Sequence, residues 1–145
     1  MNFINIPNKD TNIFISLAKS PGNTGSKFHN LGSKIKKINN IYIPLRVNNF
    51  KQAKAIIKNL NYKGCSLSMP FKESCYSLID YKDSITRSCR SINTILKKNN
   101  KLYGFNTDYY AAKRIFENNK FDNKTSVLLL GNGGVARTIY SLILK

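Results

Sequence analysis

Strand-like and helix-like stretches alternate along this chain of 145 residues, which predicts an α/β fold. Two observations carry the prediction. Apolar residues recur at every second position in some segments and at three- and four-residue spacing in those that follow. The most apolar segment, Val127-Leu128-Leu129-Leu130, runs straight into Gly131-Asn132-Gly133-Gly134 and then into an amphipathic stretch. That order is the one required of a nucleotide-binding strand, turn and helix. The length suits one domain, or one domain and the beginning of another.

The elements follow in order. Residues 12–17 form a short apolar run that predicts a first strand, broken by Pro21-Gly22-Asn23-Thr24-Gly25. Ser26 is placed to cap a helix running to about Lys37, with Phe28, Leu31 and Ile35 at helical spacing. Ile41, Ile43, Leu45 and Val47 alternate with Tyr42, Pro44 and Arg46, a half-buried strand that Pro44 assigns to an edge or a bulge. Asn49 starts a helix to Leu60 whose Phe50, Ala53, Ile57 and Leu60 share one face. Phe28, Tyr42 and Phe50 are expected in the core. Gly64 opens a strand over residues 65–69, stopped by Pro70, and residues 71–79 read as a short helix with Pro70 near its first turn. Residues 92–96 and 102–105 are strands joined by a hairpin turn at Lys98-Asn99-Asn100. Residues 107–118 fit a helix and residues 119–123 a polar loop. Residues 127–130 read as a fully apolar strand, followed by a helix with Val135, Ile139, Leu142 and Ile143 as its apolar stripe. The expected organisation is a first domain over residues 1–105, a connecting helix and loop over 106–124, and the start of a second domain over 125–145.

Composition narrows the function. The net charge of +17 would ordinarily favour a nucleic-acid partner, but the lysines run from Lys9 to Lys145 with only doublets such as Lys36-Lys37 and Lys97-Lys98. Asparagine and isoleucine are equally plentiful, and all three residues have AT-rich codons. A compositional origin therefore outweighs a nucleic-acid role, while the basic field still favours an anionic substrate and cofactor. No stretch is apolar over the roughly 18 residues of a membrane span, and the start lacks the pattern of a secretory signal. Cys65, Cys75 and Cys89 are an odd set without a close pair, which suits reduced thiols in a cytoplasmic setting. A single histidine, His29, builds no metal site.

Three segments carry chemistry. Gly131 permits a tight turn and Gly133 a close backbone approach to phosphate, while the following helix offers free N–H groups and a positive dipole end. Lys72 follows Ser68-Met69-Pro70-Phe71 at the start of a helix, where its ammonium can donate to a carbonyl oxygen that becomes an alkoxide. By itself Lys72 reads more readily as a solvated surface lysine, as most lysines are. Asp108, after Asn106-Thr107, falls in a first helical turn, where an acid can cap the helix or bind a substrate hydroxyl and hold Lys72. Asn93 and Thr94 supply uncharged hydrogen-bonding groups suited to a polyol. Ser20, before Pro21, and Ser16 are candidate anion contacts, although a serine before proline is also an ordinary turn and for either residue alone the turn is the favoured reading.

Together these segments resemble shikimate dehydrogenase. Ser68-Met69-Pro70-Phe71-Lys72 is similar to the family's Thr-Val-Pro-x-Lys, and Ile92-Asn93-Thr94 to its Val-Asn-Thr. Asn106-Thr107-Asp108 matches its Asn-Thr-Asp, and Gly131-Asn132-Gly133-Gly134-Val135-Ala136-Arg137 its glycine-turn motif. Ser20-Pro21 and His29-Asn30 resemble its opening, and the wording around Lys72 is most similar to the shikimate dehydrogenase-like branch. The resemblance implies NADPH-dependent reduction of 3-dehydroshikimate to shikimate, on the route to chorismate and the aromatic amino acids. It implies Lys72 and Asp108 as the catalytic pair, with Ser20, Ser68, Asn93 and Asp108 binding substrate. Gly131, Gly133, Gly134, Val135 and Ala136 would hold NADP. Quinate is a rival substrate with nearly the same polar groups.

Two departures stand out. Ala18 occupies the place of the family's first opening serine, which leaves Ser16 as a substitute. The resemblance also implies a complete nucleotide-binding domain, of which this sequence contains one strand and one helix. The unpartnered apolar strand and helix stripe predict association, as a homodimer or with a missing C-terminal half. Of a fragment of a longer enzyme, a split protein and a decayed gene product, a fragment or truncation is the favoured expectation, and a non-catalytic substrate-binding remnant is the alternative to an active oxidoreductase. Residues 1–105 are expected to fold alone.

Overall fold

A computed structural model describes residues 6–122 and 124–144. Among the described residues six strands form one mixed sheet: β1 (Asn12–Ala18), β2 (Asn40–Arg46), β3 (Gly64–Leu67), β4 (Tyr81–Lys82), β5 (Thr94–Lys98) and β6 (Lys101–Phe105), in the order β2-β1-β3-β5-β6-β4. β1 pairs in parallel with β2 and β3, β5 runs antiparallel to both β3 and β6, and β4 is parallel to β6. The helices are α1 (Thr24–Ile35), α2 (Phe50–Asn59), α3 (Phe71–Ser74), α4 (Ser84–Cys89), α5 (Thr107–Asn118) and α6 (Gly134–Ile143), and a 3-10 turn over Cys75–Leu78 extends α3.

The core lies on one face of the sheet. Period-two alternation puts Ile15 and Leu17 of β1 and Cys65 and Leu67 of β3 on that face, where they meet Ala53 and Ile57 of α2 and Phe71 of α3. Asn49 caps α2, its side chain accepting from the N–H of Gln52. Lys97 closes the other end, its ammonium donating to the carbonyls of Lys58 and Leu60. Burial raises the thiol of Cys75 to about 11 and lifts that of Cys65 further, so these cysteines are protonated, apolar core residues.

The opposite face carries α1. Ser26 does not cap it: Asn23 holds the N-cap position and the Ser26 hydroxyl donates back to the Asn23 carbonyl. No α1 residue is buried, and Phe28, Leu31 and Ile35 are 73%, 59% and 71% exposed, contrary to the expected core stripe. The helix is held instead by polar and aromatic contacts. Asn30 donates to the Tyr42 carbonyl at 3.0 Å and accepts from its N–H at 2.7 Å, and His29 stacks on the Tyr42 ring. Phe50 is likewise 38% exposed and Tyr42 only half-buried. β2 is the edge strand that Pro44 predicts. In a parallel pair alternate residues point their backbone groups away from the neighbour, so Tyr42 and Pro44 both face outward. Pro44 has no N–H to leave unpaired there, and Asn30 satisfies Tyr42.

The hairpin turn is confirmed, with Asn99 and Asn100 both in the left-handed region at φ 50° and 58°. β4 and α4 have no counterpart in the sequence reading; Asp83 caps α4 by accepting from Thr86 N–H. Residues 125–130 join no ladder among the described residues, and Val127, Leu128 and Leu130 are 44%, 84% and 83% exposed. A parallel strand exists only through its neighbours, and the described chain offers none beside this segment. α6 corrects the stripe as well: its buried residues are Thr138 and Ser141, while Val135 and Ile143 are 49% and 39% exposed. Among the described residues no helix is long and apolar enough to cross a membrane, and no group of three His, Cys, Asp or Glu could hold a metal.

Candidate active site

The mixed sheet brings four chain segments to one end. β1, β3 and β6 finish there, and β5, being antiparallel to β3 and β6, starts there. Open α/β sheets place ligands at the carboxyl ends of their parallel strands. Lys72 stands in α3, just past β3; Asn93 precedes β5; Asp108 is in the first turn of α5, just past β6.

Local bonds fix each position. The Asn93 carbonyl accepts from Leu67 N–H at 2.8 Å, and Asn93 N–H donates to the Phe105 carbonyl at 3.1 Å. Ile92 N–H donates to the Lys72 carbonyl at 2.9 Å, tying α3 to the start of β5. Pro70, joined to Met69 by a cis peptide, ends β3 and turns the chain into α3. Asn106 caps α5 by accepting from Tyr109 N–H, which sets the direction in which Asp108 leaves the first turn.

The side chains then converge. Lys72 Nζ donates to Asp108 Oδ2 at 2.7 Å. Asn93 Nδ2 donates to Asp108 Oδ1 and to Thr107 Oγ1, both at 2.8 Å. Asn93 Oδ1 accepts from Thr107 N–H and from the Thr94 hydroxyl, both at 3.0 Å. Both carboxylate oxygens are therefore engaged, and the side chains of Lys72 and Asp108 are 16% and 33% exposed. A half-desolvated ammonium whose other two protons are available is suited to grip, and to donate to, an oxygen that gains negative charge.

The remaining expected residues distribute unevenly. Ser68 is exposed at the joint between strands, its N–H donating to the Leu17 carbonyl at 2.9 Å. Ser20 is exposed just beyond β1, where Lys19 N–H donates to the Met69 carbonyl and draws the two strand ends together. Ser16 does not share that end: it pairs with Pro44 and Ser66 within the sheet. Ala18 is buried at the strand's end. His29, through its stack on Tyr42, belongs to the packing of α1.

The glycine turn faces α3 across a cleft of about 430 Å³, where Lys72, Glu73, Gly131, Gly133, Gly134, Val135 and Ala136 stand beside the apolar Met69, Pro70, Leu129, Leu130 and Ile139. Gly131 has φ +116°, which side-chain-bearing residues rarely adopt. At Gly134 a Cβ would come 2.6 Å from the Ser91 hydroxyl and 3.1 Å from Lys72 Cβ, so only glycine lets α6 approach this closely. Gly133, the N-cap of α6, has no side chain to receive the first N–H groups of the helix. Backbone donors, an open cap and absent Cβ atoms fit a pyrophosphate.

Sequence reasoning missed several residues here. Arg137 Nη2 pairs with Glu73 Oε2 at 3.1 Å, and Ser91 places a fully buried hydroxyl beneath Gly134. Asn106 donates to the Ser91 carbonyl and to Thr138. Asn106 alone carried a readable signal, as an asparagine at the N-cap position before a helical run.

Comparison with known proteins finds clear relatives of this chain. The family described as the shikimate dehydrogenase substrate binding domain matches residues 15–95. A shikimate dehydrogenase-like protein of Haemophilus influenzae is 33% identical over 132 residues, covering 91% of this chain and 49% of that protein. A shikimate dehydrogenase (NADP(+)) of Clostridium beijerinckii is 35% identical over 121 residues, covering 81% of this chain and 45% of its own. The solved structure of a shikimate 5-dehydrogenase-like protein superposes with a TM-score of 0.81 at 32% identity, covering 95% of this chain and 51% of that one. Shikimate dehydrogenase from Aquifex aeolicus gives 0.82 at 26% identity, with 96% and 54% covered. The chain thus spans about half the length of the relatives it matches.

Proposed function

Because the chain belongs to the shikimate dehydrogenase family, we propose that it is the substrate-binding half of a shikimate dehydrogenase-type oxidoreductase. It binds a shikimate-class polyol acid by itself, and turnover requires a complete nucleotide-binding domain. The observation that supports this best is the Lys72, Asp108 and Asn93 network at 2.7–2.8 Å, set at the carboxyl ends of the parallel strands.

In this reading residues 1–105 form the substrate-binding domain and residues 125–145 begin the cofactor domain. Asp108 accepts from one substrate hydroxyl and keeps Lys72 oriented. Lys72 donates to the oxygen at the reacting carbon and supplies its proton as that oxygen becomes a hydroxyl. Asn93 and Ser68 bind the remaining hydroxyls, and Ser20 meets the carboxylate. The nicotinamide cofactor supplies the hydride when bound; Gly131, Gly133, Gly134, Val135 and Ala136 would hold its pyrophosphate. The cytoplasm is the setting that suits three reduced thiols.

Calorimetry with shikimate tests the reading. The 145-residue chain binds shikimate, and Asp108→Ala loses most of that affinity. A chain that folds but binds no shikimate would overturn the proposal. When the chain is extended by a complete nucleotide-binding domain, NADPH oxidation dependent on 3-dehydroshikimate appears and is lost in Lys72→Ala.

A further inference from the structure

We propose that Glu73 is a resident anion at the glycine turn and that it sets how tightly that turn binds an incoming phosphate group. The inference rests on the reading of this turn as the pyrophosphate site.

The first N–H groups of an α-helix have no acceptor within the helix, and the helix dipole adds partial positive charge beside them. At α6 the capping residue is Gly133, which has no side chain to satisfy them. A carboxylate from another element stands close by, without accepting from those N–H groups. Glu73 Oε1 lies 3.9 Å from the point a Gly133 Cβ would occupy, and Oε2 is 3.1 Å from Nη2 of Arg137, in the first turns of the same helix. A second observation marks the same place. The Ser91 hydroxyl, in a residue 1% exposed, has no hydrogen-bond partner among the described residues and lies 2.6 Å from the point a Gly134 Cβ would occupy. The opening of α6 is therefore bordered by a carboxylate already held and by a buried polar group that is not.

Lys72, next to Glu73 in the chain, is bound to Asp108, while Glu73 pairs with Arg137. Glu73 and Arg137 are 35% and 49% exposed at their side chains, so the pair can open without breaking the core. A phosphate entering the cleft brings a second anion within a few ångströms of Glu73. The two repel each other, and both compete for Arg137. Binding is then an exchange in which phosphate takes Arg137 and Glu73 swings to solvent. The exchange lowers affinity relative to a turn without an acid. It also frees the segment that carries Lys72 from α6 only when phosphate is present.

Titration of the 145-residue chain with inorganic pyrophosphate, followed by NMR at the Gly133 and Gly134 amides, tests this. Glu73→Gln keeps the shape of a partly exposed residue and should bind about fivefold more tightly than the parent chain. In Glu73→Gln/Arg137→Gln that gain should disappear, because the released cation is absent. Equal or weaker binding by Glu73→Gln would overturn the proposal and leave the pyrophosphate reading standing. Absence of binding in all three chains would overturn both.

Discussion

Asn106 and Thr138 meet through a buried hydrogen bond of 2.8 Å that joins the cap of α5 to the middle of α6. The same Asn106 amide donates to the Ser91 carbonyl, its oxygen accepts from Tyr109 N–H, and the Thr138 hydroxyl donates onward to the Gly134 carbonyl. Asp108 stands two residues past this cap. The direction of the carboxylate and the seating of the glycine-turn helix therefore depend on one amide. Asn106→Ala should destabilise the chain by about 2–3 kcal/mol, through a lost cap and stranded buried groups. Thr138→Val, which spares the cap, should cost about 1 kcal/mol. Urea denaturation of both variants checks the order.

Gly134 supports a second expectation. An added methyl would meet Ser91 Oγ at 2.6 Å and Lys72 Cβ at 3.1 Å, so Gly134→Ala should cost about 1–3 kcal/mol. Adding Ser91→Ala removes the closer contact and should recover part of the loss. Thermal unfolding of the single and double variants decides it, and an undiminished midpoint for Gly134→Ala would contradict the packing described.

Gly104 gives a test remote from the cleft. In β6 its missing side chain makes room for Ile79, whose Cγ2 would stand 2.8 Å from an added Cβ, with Ile92 Cγ2 at 3.2 Å. Gly104→Ala should therefore lose about 1–3 kcal/mol. The added cost of Gly104→Ala should be smaller in an Ile79→Ala background, where both Cγ atoms that meet the new methyl are gone, measured by the same denaturation.

Acid stability should depend on Asp80. The N–H of Leu102 donates to its carboxylate at 2.8 Å and holds it below the usual carboxylate range, helped by Lys101, Lys58 and Lys82. The folded pKa is below the unfolded one, so its contribution is present above the ordinary carboxylate value and is lost as pH falls through the folded value. Asp80→Asn should lower stability at neutral pH and flatten the decline below about pH 4. Unfolding followed across the acid range would show it.

How much of this was legible in the sequence follows from which forces are local. The strands at 12–18 and 40–46, the edge position of Pro44, the caps at Asn49 and the paired asparagines of the hairpin are written in alternation and turn chemistry. The meeting of Lys72 with Asp108 was legible only through the resemblance of the segments that carry them to a known family, not through alternation or turn chemistry. What failed depended on neighbours. Helical spacing of Phe28, Leu31 and Ile35 says that they share a face, not that anything covers it. The same holds for residues 127–130, apolar enough for a strand yet joining no ladder among the described residues. The contacts of Glu73, Ser91 and Thr138 join segments far apart in the chain, and no periodicity encodes them.

Asn30 clasps the backbone of Tyr42 on the outermost strand, β2. An outermost strand normally offers a template on which another extended chain can grow. Here one outward-facing residue is already occupied by an amide and the next outward-facing one is a proline. Fibril-like stacking through this border is thereby discouraged at the cost of a single asparagine, even though the nearby helix shows oily residues to water.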